Sequence, residues 1–198
     1  MIDRIYYINL DKREDRKEHI INMLTNCNLI DITERIPATY NELGHLGCSL
    51  SHIKTIEKFI DSGLDTCLIM EDDLFIKDTE SFVSRIQKLF DNNIDFDIVQ
   101  VSGNHFKLEV CEQRWLRRVY DSQTTSGYII TKKFAPILLE NFKASSELLK
   151  QGKNHFYCLD IYWKKLQPIS KWYCFYRALA HQMKSYSDIE KRITSYKC

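Results

Sequence analysis

Three consecutive carboxylates, Glu71-Asp72-Asp73, stand directly after a short apolar run, residues 66–70. Because neighbouring carboxylates repel one another, burying them is costly unless a cation or basic groups lie close by. The alternate members Glu71 and Asp73 could face one side together and offer hard oxygen ligands, which suit Mg²⁺ or Mn²⁺ bridging a diphosphate. Such a metal would lower the charge on a departing nucleoside diphosphate. The alternative is a solvated acidic turn that caps the next helix.

A second polar cluster, Asn9-Leu10-Asp11, follows the apolar start of the chain. Arg13 and Arg16 come next, at a spacing that lies on one side of a helix. Ligands of an open α/β sheet usually sit beyond the carboxyl ends of its strands, so we expect both clusters to meet at one site. The alternative for the arginines is a surface helix with local ion pairs of little energetic weight.

Hydrophobic periodicity predicts the elements that must position these clusters. Short apolar, β-rich runs predict strands at residues 5–10, 29–36, 66–70, 96–101, 115–120 and 127–131, and an extended segment at 172–180. Apolar residues spaced by three and four predict helices at residues 13–26, 47–63, 81–90, 133–142 and 157–166. Strands that alternate with helices indicate an α/β fold with an at least partly parallel sheet. We expect one domain over residues 1–198, ending in a polar tail at about 183–198.

Composition excludes several classes of protein. With 28 Lys+Arg against 27 Asp+Glu the formal net charge is +1, which disfavours a nucleic-acid partner. The seven cysteines form no CxxC pair, so a zinc site has little support and free thiols of a reducing compartment are expected. We find no secretory signal and no run approaching the roughly 18 apolar residues of a transmembrane segment, and therefore expect a cytoplasmic protein. Glycine-rich dinucleotide and ATP loops are also absent.

Six segments, in order along nearly the whole chain, resemble those of glycosyltransferase family 25, which includes lipo-oligosaccharide and collagen hydroxylysine galactosyltransferases. The first three are Ile8-Asn9-Leu10-Asp11 with Arg13 and Arg16, Gly47-Cys48-Ser49-Leu50-Ser51-His52, and Leu68-Ile69-Met70-Glu71-Asp72-Asp73. The others are Ser126-Gly127-Tyr128-Ile129-Ile130, Leu159-Asp160, and His181-Gln182 with Ser187-Asp188-Ile189.

This resemblance implies a GT-A-like fold, with a mixed, mostly parallel central sheet flanked by helices. It implies a metal-dependent enzyme, using Mn²⁺ or Mg²⁺, that moves galactose or glucose from a UDP-sugar with inversion of the anomeric centre. The acceptor would be a hydroxyl of a glycan, a glycolipid or a hydroxylysine in a collagen-like protein. A catalytically inactive member that binds a nucleotide or a protein stays open, as does metal-dependent phosphoester hydrolysis. The oligomeric state, a homodimer included, is also open.

The resemblance also assigns roles to individual residues. Asp160 would be the base that takes the acceptor's proton, with a helix N-cap as the alternative. Glu71, Asp73 and His181 would hold the metal. The nucleotide-sugar site would include Asn9, Leu10, Asp11, Arg13, Arg16, His52, Asp72, Ser126 and Gly127. A satisfied core histidine is the alternative for His52, and a strand bulge is the alternative for the segment at Gly127.

Overall fold

Eight strands form the central sheet of the computed structural model, which describes residues 1–152, 155–189 and 191–194. Their order across the sheet is β2-β1-β3-β8-β5-β9-β7-β6. The bounds are β1 Arg4–Asn9, β2 Thr33–Pro37, β3 Thr66–Glu71, β5 Ile98–Gln100, β6 Asn104–Val110, β7 Leu116–Gln123, β8 Gly127–Thr131 and β9 Trp172–Phe175. Two small sheets pair β4 (Leu74–Phe75) with β10 (His181–Gln182), and β11 (Ser185–Ser187) with β12 (Arg192–Thr194).

The central sheet is mixed. Strand β1 runs parallel to β2 and β3, and β5 runs parallel to β9, whereas the other four neighbouring pairs are antiparallel. The mixed α/β sheet expected from the sequence is confirmed, with less parallel pairing than the mostly parallel sheet that the resemblance implies.

Helices cover both faces of this sheet. Their bounds are α1 Glu14–Asn26, α2 Gly44–Ser62, α3 Thr79–Asp91, α4 Ala135–Lys150 and α5 Leu159–Tyr162, with 3-10 turns at Ile30–Ile32, His155–Tyr157 and Trp163–Ile169. One core cluster packs apolar residues of α1 and α3 on one face, and a second packs α2 and α4 on the other. Among the described helices, none is long and apolar enough to span a membrane.

Successive side chains of a strand point to opposite faces of the sheet, and this alternation determines which helices each strand residue packs against. In β3, Leu68 and Met70 join the α1/α3 cluster, whereas Cys67 and Ile69 join the α2/α4 cluster. Glu71 is the next residue after Met70 and therefore points towards α2. In β1, Ile8 lies on the α2/α4 face, so Asn9 turns towards α1.

One edge of the sheet collects the polar clusters. The parallel strands β1, β2 and β3 all end there, and antiparallel pairing of Met70 with Gly127 brings the start of β8 to the same edge. The expectation that the Asn9 and Glu71 clusters share an edge is therefore confirmed.

Several predicted segments differ from the structure. The predicted strand at 29–36 divides into a 3-10 turn followed by β2, and the predicted helix at 157–166 divides into a 3-10 turn, the four-residue α5 and a second 3-10 turn that contains Pro168. The extended segment predicted at 172–180 forms a strand only over Trp172–Phe175. The described part of the C-terminal segment forms β11 and β12 instead of a plain tail.

Candidate active site

A cleft of about 250 Å³ opens at the polar edge of the sheet. Its walls come from the ends of β1 and β3, the loop after β2, the first turns of α2, the start of α5 and the C-terminal segment 182–189. Glu71, Asp72, Asp73 and Asp160 all line it. The acidic cluster is therefore not a solvated turn, and Asp78, not the cluster, caps α3 by accepting a hydrogen bond from the Ser81 backbone N–H at 2.9 Å.

Glu71 is held on the α2 side of the cleft. Its Oε1 accepts a hydrogen bond from Thr125 Oγ1 at 2.8 Å and lies 3.4 Å from Nε2 of His52. Its backbone N–H donates to the carbonyl of Ser126 at 2.9 Å, which ties the end of β3 to the segment before β8. Burial opposes ionisation of Glu71, but the contacts with His52 and Thr125 outweigh it and lower the pKa of this carboxyl.

Asp72 is turned to the opposite side, towards α1. Its carboxylate accepts hydrogen bonds from Asn9 Nδ2 at 2.7 Å and from Arg16 Nη1 at 2.8 Å. Asn9 itself is fixed because its Oδ1 accepts from Arg35 Nε at 2.9 Å. Burial nevertheless keeps the pKa of Asp72 raised. This packing makes Asp72 a link between β1, α1 and the cleft.

Asp73 lies between the other carboxylates and the C-terminal segment. Its Oδ1 accepts a hydrogen bond from Gln182 Nε2 at 3.3 Å, and its Oδ2 lies 3.1 Å from Arg16 Nη1. Burial, followed by the charge of Glu71, raises the pKa of Asp73 to about 7. Asp72 and Asp73 thus share one guanidinium, while Glu71 is bound by His52 and Thr125, and the cluster holds more negative charge than Arg16 compensates.

Within the cluster, Glu71 and Asp73 are the residues that could hold a divalent cation. Glu71 and Asp73 both line the cleft and offer the hard oxygen donors that Mg²⁺ and Mn²⁺ prefer. Burial, and after it the charge of Glu71, raises the pKa of Asp73, and a bound cation would oppose both effects. Another donor set, Cys48, His52 and Glu71, has ligand atoms within 4.8 Å of one another. It fits less well, because His52 is already in contact through both ring nitrogens and because burial raises the pKa of the Cys48 thiol well above its usual range.

Arg13 and Arg16 bind the C-terminal segment as well as lining the cleft. Asp188 accepts from Arg13 Nη1 at 2.8 Å and from Lys12 Nζ at 2.6 Å, while Arg16 Nη2 donates to the Tyr186 carbonyl at 3.0 Å. Segment 182–189 is thus fixed as a wall of the cleft. Leu10 also lines the cleft.

Asp160 stands on the wall formed by α5. Its Oδ2 accepts a hydrogen bond from the backbone N–H of Thr124 at 3.1 Å, and burial raises its pKa. The side chain still reaches the cleft. The N-cap alternative is wrong, because Cys158 occupies the N-cap position of α5.

His181 was predicted as a metal ligand, and the structure places it elsewhere. It pairs with Phe75 across the β10–β4 ladder and is exposed, with its ring 5.2 Å from that of Phe75. Because neighbouring strand residues point to opposite sides, it is Gln182 that faces Asp73. The prediction for His181 is therefore wrong.

Four other residues predicted for the nucleotide-sugar site also lie outside the cleft lining, and one of them is Asn9, which bonds Asp72 from behind. Asp11 is paired with Arg35, and its side chain is 82% exposed. Ser126 is buried and donates to Ser102 Oγ at 2.9 Å. At Gly127 a Cβ atom would stand 2.6 Å from Val101 Cγ2, so this glycine allows close packing inside the protein, and its regular pairing with Met70 excludes the predicted alternative of a bulge. His52, by contrast, lines the cleft beside Glu71, although it is fully buried.

Comparison with known proteins identifies the family. The family model described as glycosyltransferase family 25 (LPS biosynthesis protein) matches residues 39–151, which is more than half of the chain. The chain belongs to glycosyltransferase family 25. The matched range includes the glycine-rich start of α2, the acidic cluster and the Ser126-Gly127-Tyr128 segment, so three of the six resembling segments lie inside it.

Curated relatives of this family 25 chain include procollagen galactosyltransferases. Procollagen galactosyltransferase 1 of Danio rerio is 25% identical over 173 residues, covering 69% of this chain and 28% of that protein. Procollagen galactosyltransferase 2 of Homo sapiens is 24% identical over 172 residues, covering 69% and 27%. The chain therefore spans little more than a quarter of the length of these relatives.

Solved structures confirm the GT-A-like fold of this family 25 chain. A glycosyltransferase involved in glycosylation of the major capsid of PBCV-1 matches with a TM-score of 0.54 at 13% identity, covering 96% of this chain and 97% of that one. An apo UDP-glucose pyrophosphorylase matches with a TM-score of 0.53 at 12% identity, covering 90% and 76%. At these identities the likeness concerns the fold alone.

Sequence reasoning missed several residues that hold the site together. Thr125 bonds Glu71, Gln182 bonds Asp73, and Asp188 binds Arg13. Gln182 and Asp188 could have been recognised as site residues, because both lie in the closing segment that resembles family 25. Their partners could not be predicted, because these contacts join residues more than 100 positions apart.

Proposed function

We propose that this chain transfers a hexose, galactose or glucose, from a UDP-sugar to a hydroxyl group of a glycan, a glycolipid or a hydroxylysine residue. The observation that carries the proposal is the convergence of Glu71, Asp73 and Asp160 on one cleft at the carboxyl ends of β1 and β3. Family membership supports glycosyl transfer, and the names of the procollagen galactosyltransferases favour galactose.

The donor's diphosphate would lie against the acidic cluster. When bound there, a divalent ion would neutralise the negative charge that builds up on the leaving diphosphate. Glu71 and Asp73 would hold that ion through carboxylate oxygens. Arg13 and Arg16 line the same cleft with positive charge, and guanidinium groups suit phosphate oxygens.

Asp160 would act on the acceptor. In a single displacement with inversion, a base takes the proton of the attacking hydroxyl while the anomeric carbon is attacked from the face opposite the diphosphate. The raised pKa makes Asp160 a stronger base than an ordinary aspartate. The Thr124 backbone N–H holds one of its carboxylate oxygens and orients the group.

A panel of UDP-sugars with Mn²⁺, read by mass spectrometry of products on glycan and hydroxylysine-peptide acceptors, tests the proposal. We expect one UDP-hexose to be used, and Asp160→Asn to lower turnover at least roughly 100-fold while UDP still binds. An exposed aspartate, Asp65, provides the matched Asp65→Asn control with unchanged turnover. No transfer and no hydrolysis with any donor would contradict the proposal.

One observation favours the second candidate, an inactive nucleotide-binding relative. Arg16 already lies within 2.8 Å of Asp72 and 3.1 Å of Asp73, so part of the acidic charge is neutralised inside the protein. This candidate predicts that UDP binds with no turnover and that Asp160→Asn changes nothing. The same donor panel separates the two.

A further inference from the structure

A buried chain of polar groups runs behind Glu71. His52 and Tyr128 are both fully buried. Nδ1 of His52 lies 3.0 Å from the hydroxyl of Tyr128, and Nε2 lies 3.4 Å from Oε1 of Glu71. Stacking on Tyr128, with ring centroids 5.8 Å apart, and an edge contact with Phe142 fix the orientation of the imidazole.

The groups at the two ends of this chain, the Glu71 carboxylate and the Tyr128 hydroxyl, indicate which ring nitrogen of His52 carries the hydrogen. An ionised carboxylate only accepts hydrogen bonds, so the nitrogen facing Glu71 must carry a hydrogen. In a neutral imidazole the other nitrogen, Nδ1, is then an acceptor, and the Tyr128 hydroxyl donates to it. By donating to Nδ1, the hydroxyl stabilises the same tautomer, whose N–H points at the carboxylate.

We infer that Tyr128 and His52 are positioning residues: the Tyr128 hydroxyl fixes the His52 tautomer, and His52 fixes the Glu71 carboxylate for metal binding. The part concerning metal rests on the proposed function. Besides His52, Thr125 also bonds Oε1 of Glu71, so two donors on the cleft wall hold one carboxylate oxygen. Outer partners of this kind orient metal ligands, and their loss typically costs roughly 10- to 100-fold in metal affinity.

The local sequence explains how these groups meet. Glu71 and Tyr128 lie on the α2 face of neighbouring strands, because each belongs to the same alternation as the buried Ile69 and Ile130. His52 is on the face of α2 that packs against them, next to Ile53 and one turn before Ile56. The network therefore joins the second, third and fourth of the segments that resemble family 25.

Tyr128→Phe tests the inference, because it removes the hydroxyl and keeps the ring. Tyr6→Phe is the matched control: Tyr6 is 1% exposed in the same core cluster, and its hydroxyl faces Ser62. Nitrogen-15 NMR of the His52 ring reports the tautomer, and calorimetry with Mn²⁺ in the presence of UDP reports metal affinity. We expect an Nε2-protonated ring in the wild type and in Tyr6→Phe. Tyr128→Phe should show mixed tautomers and about tenfold weaker Mn²⁺ binding.

A second pair of variants separates positioning from packing. Gln at position 52 can return an amide N–H towards Glu71, whereas Leu only fills the apolar space. Positioning predicts that His52→Gln binds Mn²⁺ at least about tenfold more tightly than His52→Leu, even where its melting temperature is lower. A packing role predicts that Leu serves as well as Gln or better, and that result would overturn the inference.

The outcomes also separate the inference from the proposed function. If the wild type binds no Mn²⁺ with UDP, the proposed metal site fails, and the NMR result alone decides whether Tyr128 sets the tautomer. If the wild type binds Mn²⁺ while Tyr128→Phe keeps both the tautomer and the affinity, the positioning role is refuted and the proposed function stands.

Discussion

Replacing Asp73 by Asn is expected to stabilise the metal-free protein. Burial and the charge of Glu71 raise the pKa of this carboxyl from 3.8 to about 7, so its ionisation at pH 8 works against folding. A difference of about three pKa units corresponds to about 4 kcal/mol at 1.36 kcal/mol per unit. We expect about half of that, about 2 kcal/mol, because the folded protein relaxes around a buried charge.

The pH dependence identifies the cause. In the unfolded chain Asp73 ionises above about pH 4, whereas in the folded protein its pKa is about 7. Since the folded state holds the proton more tightly, the penalty is absent below about pH 4, grows as the pH rises, and is complete above about pH 7. Asn has no such penalty. The stabilising effect of Asp73→Asn should therefore grow over the same interval.

Thermal melting in EDTA at pH 4 and pH 8 measures this difference. A gain of about 2 kcal/mol corresponds to a rise in melting temperature of roughly 4–8 °C for a chain of this size. Asp65→Asn, at an exposed site in the loop before β3, should change little at either pH. A melting temperature that does not rise at pH 8, or that rises equally at pH 4, would refute the reasoning. The same variant should lose Mn²⁺ binding, so stability and function would change in opposite directions.

Three further predictions concern residues around the site. Gly127→Ala should cost about 1–3 kcal/mol by overpacking against Val101 and leave UDP affinity unchanged, whereas lost affinity at unchanged melting temperature would point to a ligand contact. Asp188→Asn removes the ion pairs with Lys12 and Arg13, so it should lower the free energy of unfolding by up to about 1 kcal/mol at low salt. The loss should be much smaller at 0.5 M salt, where the screening length is about 4 Å, and a loss that persists there would contradict an ion-pair origin. Burial lowers the pKa of His105 to about 4, so the folded protein should lose stability as the pH falls from about 6.5 to about 4. The free energy of unfolding, measured at pH 7 and pH 5, should therefore fall less in His105→Gln than in the wild type. An equal fall in both proteins would exclude His105 as the cause.

Local sequence patterns predicted much of the fold. The apolar run that ends at Met70 predicted strand β3, and the apolar residues spaced by three and four up to Gly63 predicted helix α2. Both patterns involve residues close together in the chain, and both elements are observed near the predicted positions. Strand alternation then explains why Glu71 faces α2. Helix α2 begins at Gly44, three residues earlier than the predicted start at Gly47. Its first turn packs against the C-terminal segment, where a Cβ on Gly44 would stand 2.9 Å from the Cα of Ile189, a contact that local periodicity does not encode.

Tertiary pairing decided what local patterns could not. The choice between His181 and Gln182 at the cleft depends on the pairing of β10 with β4, and no pattern near residue 181 encodes it. Arg16 reaches Asp72 across 56 positions, so its position between two carboxylates could not be foreseen from helix spacing. Gly127 was predicted to belong to the nucleotide-sugar site, but a Cβ atom there would stand 2.6 Å from Val101 Cγ2, in the interior of the protein.

Calorimetric titration of UDP into the protein, with Mn²⁺ and again with EDTA, tests most directly whether the acidic cluster of the cleft binds the donor's diphosphate through a divalent ion. We predict affinity at least about tenfold higher with Mn²⁺, a gain that Glu71→Gln abolishes and that Glu147→Gln, on the exposed surface of α4, retains. Equal UDP affinity in Mn²⁺ and in EDTA, with Glu71→Gln indistinguishable from the wild type, would contradict it.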